Sequence, residues 1–440
     1  MKGIDYDIII IGGTHTARYA AAKAAQTKAR IALIEPSSHL IPTALHRQAL
    51  AHAAQVAHQM CHADLWGFPS TTLPFQWHTL TEWTTRVAET LTPEQSVESL
   101  ATVGVDVVIG KCTFIRHPQG LEINGRVLRS RTYLLALATQ PAIPQIARSI
   151  AYLTPDSLIH QPWQSPPPRL IILHNEPAGI ELAQSFNRLG TEVTLITEQR
   201  HLLKQADTTV MNELRSQIEA EGITIFTSCQ VTQVEQQGDL KRVWAGDKLF
   251  EAEELLIAMG RRSPLEHLNL EAIDVQWQLQ GIPVNRHLQT SNLQVYACGE
   301  TLGGYAIPHL AEYEAGIAVS NALSFQKIPI EYRWVPWGIQ TQPEFSQVGL
   351  TEAQAKKIYK NVRVLHQQLP NKGAIQNEVA GFCQIVVRRN GEILGAQMTG
   401  KGASETISAI AFAMRSKLKV KAIASRDPQG VVQFLLRQQT

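Results

Sequence analysis

Residues 6–35 read YDIIIIGGTHTARYAAAKAAQTKARIALIE, and this stretch decides the fold. Its apolar run from Tyr6 to Gly12 is typical of a strand that is buried on both faces, as in a parallel sheet. The alanine-rich segment 17–25 favours a helix. The apolar residues 31–34 predict a second strand, which ends at Glu35. This order predicts a βαβ unit, the building block of doubly wound nucleotide-binding domains.

The same pattern returns in the middle of the chain. Residues 169–173 predict a strand, residues 179–189 a helix and residues 193–196 a second strand, and a proline-rich stretch at 165–168 precedes them. Between the two units, alternating segments over 105–137 predict a β-meander that closes the first domain. Two βαβ units in one chain predict two Rossmann-type domains.

The last hundred residues or so have a different pattern. Strands expected at 384–388 and 393–397 flank Asn390-Gly391, which is a strong hairpin signal. A helix over 404–416 follows them. These segments predict a third domain of the α+β class.

Composition narrows the class of protein. The chain has 440 residues and a mass of 48.7 kDa, which favours three domains at roughly 150 residues each. A net charge of +2 gives no electrostatic surface for nucleic acid or an anionic membrane. No apolar stretch approaches the roughly 20 residues that span a bilayer, and residues 1–5 do not resemble a signal peptide. We therefore expect a cytoplasmic protein without nucleic-acid or membrane partners.

The cysteines exclude a local dithiol centre. There are five of them, at positions 61, 112, 229, 298 and 383, and the nearest two lie 51 residues apart. Neither a disulfide framework nor a zinc motif has such spacing. Isolated cysteines are usually small buried residues.

A predicted helix over 44–63 carries several histidines and contains neither glycine nor proline. His58 and His62 are four residues apart, a spacing that can bind a metal. Because no glutamate accompanies them in an HExxH pattern, a polar helix face is the preferred interpretation and no metal site is predicted.

Several short segments occur in an order that resembles one known family. They are Ile11-Gly12-Gly13, Glu35, residues 104–110 (GVDVVIG), Glu181-Leu182-Ala183, residues 258–261 (AMGR), Thr290-Ser291 with residues 296–300 (YACGE), and residues 348–352 (VGLTE). The chain is thereby similar to the pyridine nucleotide-disulphide oxidoreductases. The resemblance implies an α/β fold with two Rossmann-type domains plus a C-terminal α+β dimerisation domain, and a homodimer. It divides the chain into an FAD-binding domain (1–150 and 279–328), a degenerate NAD(P)-binding domain (151–278) and an interface domain (329–440).

The resemblance also implies FAD as cofactor. It assigns cofactor contacts to Gly12, Gly13, Thr14, Glu35, Cys112, Thr139, Gly299, Glu300 and His309. Glu35 stands where an acid accepts hydrogen bonds from ribose hydroxyls. Thr14 occupies the second position of the GxGxxG turn, where the pyrophosphate approaches, and Ala138 replaces a family glycine. An empty or occluded pocket is therefore the alternative to bound FAD.

The second nucleotide site departs further from the family. Residues 174–179 (HNEPAG) replace its GxGxxG turn, and only Gly179 is retained. Glu176 puts a carboxylate where the pyrophosphate of a nicotinamide cofactor lies, and like charges repel. Thr197, at the end of the next strand, is neither an acid for a ribose nor an arginine for a 2′-phosphate. NAD(P)H binding in the usual manner is not expected.

The redox residues of the family are also replaced. Its CxxxxC pair aligns with Ala44 and Ala49, and its C-terminal His-Pro with Asp427-Pro428. Without a thiolate pair there is no dithiol–disulphide exchange, so no catalytic residue is assigned. The leading hypothesis is a flavoprotein of this family that has lost disulphide and nicotinamide chemistry and that acts with a protein partner. The alternatives are a cofactor-free dimeric scaffold or regulator, and an active enzyme that holds its nucleotides in altered poses.

Overall fold

The structure, a computed structural model, describes residues 3–36, 43–71, 75–91, 96–369 and 380–424. Its α-helices are α1 (His15–Ala25), α2 (Thr43–Cys61), α3 (Trp77–Leu91), α4 (Val97–Thr102), α5 (Pro177–Arg188), α6 (Thr208–Ala220), α7 (Pro308–Leu323), α8 (Glu352–Ile358), α9 (Ala403–Arg415) and α10 (Val420–Ala424). None of the helices in these ranges is long and apolar enough to cross a membrane.

The strands are shorter and more numerous than the helices. They are β1 (Tyr6–Ile11), β2 (Ile31–Glu35), β3 (Val105–Ile109), β4 (Cys112–Arg116), β5 (Gln119–Ile123), β6 (Arg126–Leu128), β7 (Ser130–Leu135), β8 (Gln140–Pro141), β9 (Arg169–His174), β10 (Glu192–Ile196), β11 (Thr224–Phe226), β12 (Val231–Gln237), β13 (Leu240–Ala245), β14 (Lys248–Ala252), β15 (Glu254–Ala258), β16 (Arg261–Arg262), β17 (Val295–Ala297), β18 (Trp337–Ile339), β19 (Phe345–Gly349), β20 (Val362–Gln368), β21 (Phe382–Arg388) and β22 (Ile393–Thr399).

The chain folds into two compact units. The first comprises residues 1–42, 82–142 and 260–330, and the second comprises residues 43–81, 143–259 and 331–440. The finer division into three domains stays a prediction.

A parallel sheet with strand order β17-β7-β1-β2-β3 forms the centre of the first unit. The last four residues of β1, all isoleucine, are buried, which explains why the sequence shows an apolar run here and no alternation. Alanines of α1 pack on one face of this sheet. The chain runs outward from β1 to β2 and β3, and then returns on the other side of β1 as β7 and β17. The crevice between the carboxyl ends of β1 and β7 is therefore the switch point at which ligands bind in such sheets.

The predicted β-meander over 105–137 is wrong. β3 and β7 both belong to the parallel sheet, whereas the antiparallel strands β4, β5 and β6 form a sheet of their own between them in sequence. Residues 133–135 (Tyr-Leu-Leu) do not alternate, but a run of three residues is too short to distinguish a parallel from an antiparallel strand.

The second unit contains a second Rossmann-type sheet and an antiparallel sheet. The parallel strands have the order β11-β10-β9-β15, and α5 follows β9 as the sequence predicts. The antiparallel strands have the order β18-β19-β22-β21-β20, and the predicted hairpin is β21–β22 with Gly391 at φ +84° in its turn. One face of this sheet packs against α9. The predicted α/β fold class, with two Rossmann-type sheets and a C-terminal α+β part, is confirmed.

Candidate cofactor-binding site

The turn between β1 and α1 lies directly against the end of β7. Gly12 has a φ of +151°, and a Cβ atom at this position would clash with the carbonyl oxygen of Ala136. A Cβ atom on Gly13 would lie 2.9 Å from Cδ of Pro36. Both glycines are therefore required by close approach of the backbone at the switch point.

Thr14 joins the ends of β1 and β7. It is the N-cap of α1, and its hydroxyl oxygen accepts a hydrogen bond from the backbone N–H of Ala17 at 3.0 Å. The same hydroxyl donates to the carbonyl oxygen of Ala136 at 2.9 Å. Donation to a phosphate, the role considered from the sequence, would require the hydroxyl to turn away from Ala136.

Glu35 ends β2 and is completely buried. Arg18, in the first turn of α1, donates from Nε to Oε1 at 2.7 Å and from Nη2 to Oε2 at 2.8 Å. Arg18 itself is 8% exposed. The predicted ribose ligand is therefore held in a buried bidentate ion pair with a residue that the sequence did not single out.

Thr139 and Glu300, both expected from the resemblance to be cofactor contacts, contact one another, and Arg261 joins them. Oε2 of Glu300 accepts a hydrogen bond from the hydroxyl of Thr139 and lies 3.4 Å from Nε of Arg261. Arg261 donates from Nε to the Thr139 hydroxyl at 2.6 Å and from Nη2 to the Thr139 carbonyl at 2.8 Å. Sequence reasoning quoted Arg261 as part of a family segment but gave it no role; its signal was a cation directly after a buried strand and a glycine.

Gly299 lies at the end of β17 with a φ of +65°. Its backbone N–H donates to Oε2 of Glu314 at 2.7 Å, and Glu314 is 5% exposed on α7. His309 is exposed in the first turn of α7. Glu314 thus connects the start of the 299–302 turn to α7, the helix that also carries His309.

Cys112 lies in a different environment from the other predicted contacts. It belongs to β4 and packs in the apolar core with Phe114 and Leu121. Burial raises the pKa of its thiol to about 11. Its role as a cofactor contact stays a prediction, and its surroundings are those of a core residue.

The comparisons with known proteins match this architecture. Residues 6–315 match the profile of the pyridine nucleotide-disulphide oxidoreductases, and residues 335–427 match that of the dimerisation domain of the same family. The chain belongs to this family.

Individual relatives cover nearly the whole chain. A mercuric reductase of Staphylococcus aureus is 28% identical over 435 residues, which cover 95% of this chain and 78% of that protein. A dihydrolipoyl dehydrogenase of Bacillus subtilis strain 168 is 30% identical over 427 residues, covering 93% and 92%. The crystal structure of LpdA from Mycobacterium tuberculosis matches with a TM-score of 0.86 at 21% identity, over 98% of this chain and 99% of that one. The last comparison shows a shared fold. The predicted oxidoreductase family, one of FAD-dependent enzymes, is confirmed.

Contacts within the protein fix the second Rossmann-type turn, residues 174–176. Asn175 accepts a hydrogen bond at Oδ1 from the hydroxyl of Thr197 at 3.0 Å. A Cβ atom on Gly179 would lie 2.6 Å from Nδ1 of His174. Gly179 therefore allows α5 to pack closely on β9, which is the role of the third glycine in the GxGxxG motif. Glu176 is the N-cap of α5, is 8% exposed and makes no capping hydrogen bond through its side chain.

His174 makes folding stability depend on pH. The ring is completely buried, its Nε2 lies 2.8 Å from the carbonyl oxygen of Leu202, and burial lowers its pKa from 6.5 to about 4. Between these two values the unfolded chain binds a proton that the folded chain does not, so stability falls as the pH is lowered from 6.5 towards 4. The loss is on the order of 3 kcal/mol at pH 4.

Thermal unfolding of wild type and H174Q from pH 7 to pH 4.5 measures this effect. The variant is expected to lose part of the acid sensitivity, since His46 is also buried and its pKa is likewise lowered to about 4. H267Q, which removes an exposed histidine outside the proposed cofactor contacts, is the matched control and should behave as wild type. Identical pH dependence in H174Q and wild type would contradict the assignment.

The positions expected from the sequence to replace the redox cysteines lie on α2. Ala44 and Ala49 are both half-buried within this helix, which is continuous from Thr43 to Cys61. All five cysteines are free thiols, and three of them are buried. Asp427, expected from the sequence to replace the family histidine, lies outside the described residues.

Proposed function

We propose that the protein is an FAD-binding flavoprotein that carries out neither dithiol–disulphide exchange nor NAD(P)H oxidation in the usual manner. The proposal rests on two observations: alanine occupies positions 44 and 49 on an unbroken helix, and the nucleotide turn at Gly12-Gly13 is retained. A homodimer formed through the C-terminal domain is part of the proposal and is tested by sedimentation of the full chain.

The chemistry of the side chains in the first unit fits FAD. The Gly12-Gly13 turn and the start of α1 suit a pyrophosphate, because backbone N–H groups and the helix dipole favour anions there. Glu35 stands at the strand end where an acid accepts hydrogen bonds from ribose hydroxyls, and Glu300 with Thr139 suits the ribityl hydroxyls. Arg261, whose Nε lies 3.4 Å from Oε2 of Glu300, orients the Glu300 carboxylate. FAD supplies one- and two-electron transfer when bound, and the start of α7 near His309 would stabilise negative charge on a reduced flavin.

The absorbance spectrum of the purified full chain tests FAD binding. We expect a flavin spectrum from the purified chain, with FAD recovered from the supernatant after denaturation, or a shift of the flavin absorbance bands when FAD is titrated into the chain. A chain that is purified without flavin and does not shift the absorbance bands of added FAD would exclude the proposal. That result would favour the second candidate function, a cofactor-free scaffold, which the Thr14–Ala136 hydrogen bond and the buried Glu35 support.

The proposed loss of nicotinamide binding rests on Glu176. Two like charges about 4 Å apart repel by about 4 kcal/mol at an effective dielectric of 20, and Glu176 caps the helix that would face the pyrophosphate. E176Q is therefore expected to bind NADH at least about tenfold more tightly than wild type, or about 1.4 kcal/mol. Calorimetric titration of the full chain measures the difference.

The control for this titration is E192Q, which removes the same charge at the opposite, amino-terminal end of β10. NADH affinity of E192Q should equal that of wild type. Tight NADH binding by wild type, unchanged in E176Q, would disprove the role of Glu176.

A further inference from the structure

The carboxylate of Glu35 already has two strong donors. Arg18 contacts both oxygens, at 2.7 and 2.8 Å, in the parallel arrangement of a bidentate pair. The Glu35 side chain is 0% exposed and the Arg18 side chain 9%. The backbone at this residue is also held, because the carbonyl oxygen of Glu35 accepts a hydrogen bond from the N–H of Gly110 at 2.8 Å.

A ribose needs these same two oxygens. An acid at the end of the second strand holds a nucleotide by accepting hydrogen bonds from ribose hydroxyls. A guanidinium offers the carboxylate an opposite charge and two parallel N–H donors, whereas a ribose hydroxyl is a neutral donor and brings no countercharge. With the carboxylate inaccessible, a ribose reaches it only after Arg18 has moved.

We propose that Arg18 competes with the adenosine ribose of FAD for Glu35, and that the protein therefore holds FAD as a weakly bound, exchangeable ligand. The inference rests on the proposed function and specifies how tightly the cofactor is held. The cost of displacing one or two charge-assisted hydrogen bonds corresponds to about a tenfold to hundredfold loss in FAD affinity. Arg18 is a positioning residue here, since it acts on the cofactor through Glu35.

Titration of the flavin-free full chain with FAD tests this competition. Four proteins are compared: wild type, R18M, E35Q and R18M/E35Q. R18M keeps the aliphatic stem and removes the donors, so it is expected to bind FAD about tenfold to a hundredfold more tightly. E35Q should change FAD affinity little in the wild-type background, because Glu35 is committed to Arg18, but should reverse the gain in the R18M background. FMN lacks the adenosine ribose and should bind all four proteins equally.

Each other outcome has a definite meaning. If E35Q weakens FAD binding tenfold in the wild-type background, or R18M folds and binds no more tightly, the competition is disproved and the proposed function stands. If neither wild type nor R18M binds FAD, the proposed function itself fails. Folding of R18M is checked by circular dichroism, and FAD should raise its unfolding temperature more than that of wild type. Should R18M not fold, the E35Q titration alone decides between the two roles of Glu35.

Discussion

The purified chain is expected to reduce disulfides or Hg(II) with NADPH or NADH at no more than about one-millionth of the rate of an enzyme with an intact thiol pair. Removal of a catalytic nucleophile lowers kcat by on the order of 10⁶, and the methyl groups of Ala44 and Ala49 cannot replace thiolates. The loss of nicotinamide absorbance, with glutathione disulfide, lipoamide or Hg(II) as acceptor, measures the rate. A dihydrolipoyl dehydrogenase assayed in parallel is the positive control.

Restoring the two thiols should not restore this activity. Residues 44 and 49 both lie within α2, and five residues of α-helix rise about 7.5 Å. A disulfide needs Cα atoms less than about 7 Å apart, so A44C/A49C cannot form one while α2 stays helical. Thiol titration of A44C/A49C should find both new thiols free after mild oxidation. Rapid turnover by wild type, or a disulfide in the variant, would refute this explanation.

The sequence was sufficient for the central sheets because their signal is local. The run of isoleucines in β1 and the apolar residues 170–173 of β9 are buried on both faces, and such runs are recognised without knowledge of the rest of the fold. The pairing of the strands from β3 to β7 was predicted wrongly because the signal for it is not local. Short strands are similar in sequence whether they pair in parallel or antiparallel, and only the partner decides.

Long-range polar pairs could not be predicted at all. Arg18 and Glu35 are separated by 17 residues, and Arg261 and Thr139 by 122. The sequence placed Glu35 at the end of a strand, as the structure has it, and the resemblance assigned Thr139 and Glu300 to the same cofactor. It did not reveal that arginines already occupy those carboxylates. Which arginine contacts which carboxylate depends on the directions of the side chains, and these are set only when the helices pack on the sheet.

The second large effect concerns stability. R18M leaves the Glu35 carboxylate buried without its cation, and breaking a buried ion pair in this way costs about 3–5 kcal/mol. Denaturant unfolding of the flavin-free protein measures this loss as a decrease in the free energy of unfolding. R116M is the matched control in the same unit, because the Arg116–Asp274 pair has a similar length of 2.9 Å but is exposed. Exposed pairs contribute little, so its midpoint should stay close to that of wild type.

A double substitution separates the charge from the packing. R18M/E35L removes both partners and fills the site with apolar side chains, an exchange that is often neutral or stabilising for buried pairs. It should therefore recover most of the stability that R18M loses. A loss in R18M no larger than that in R116M would show that the pair is not buried as described. Failure of R18M/E35L to recover would show instead that Arg18 contributes through its other contacts. Recovery would mean that the Arg18–Glu35 pair is not required for folding. The proposed competition between Arg18 and the ribose for Glu35 would then account for the arginine at position 18.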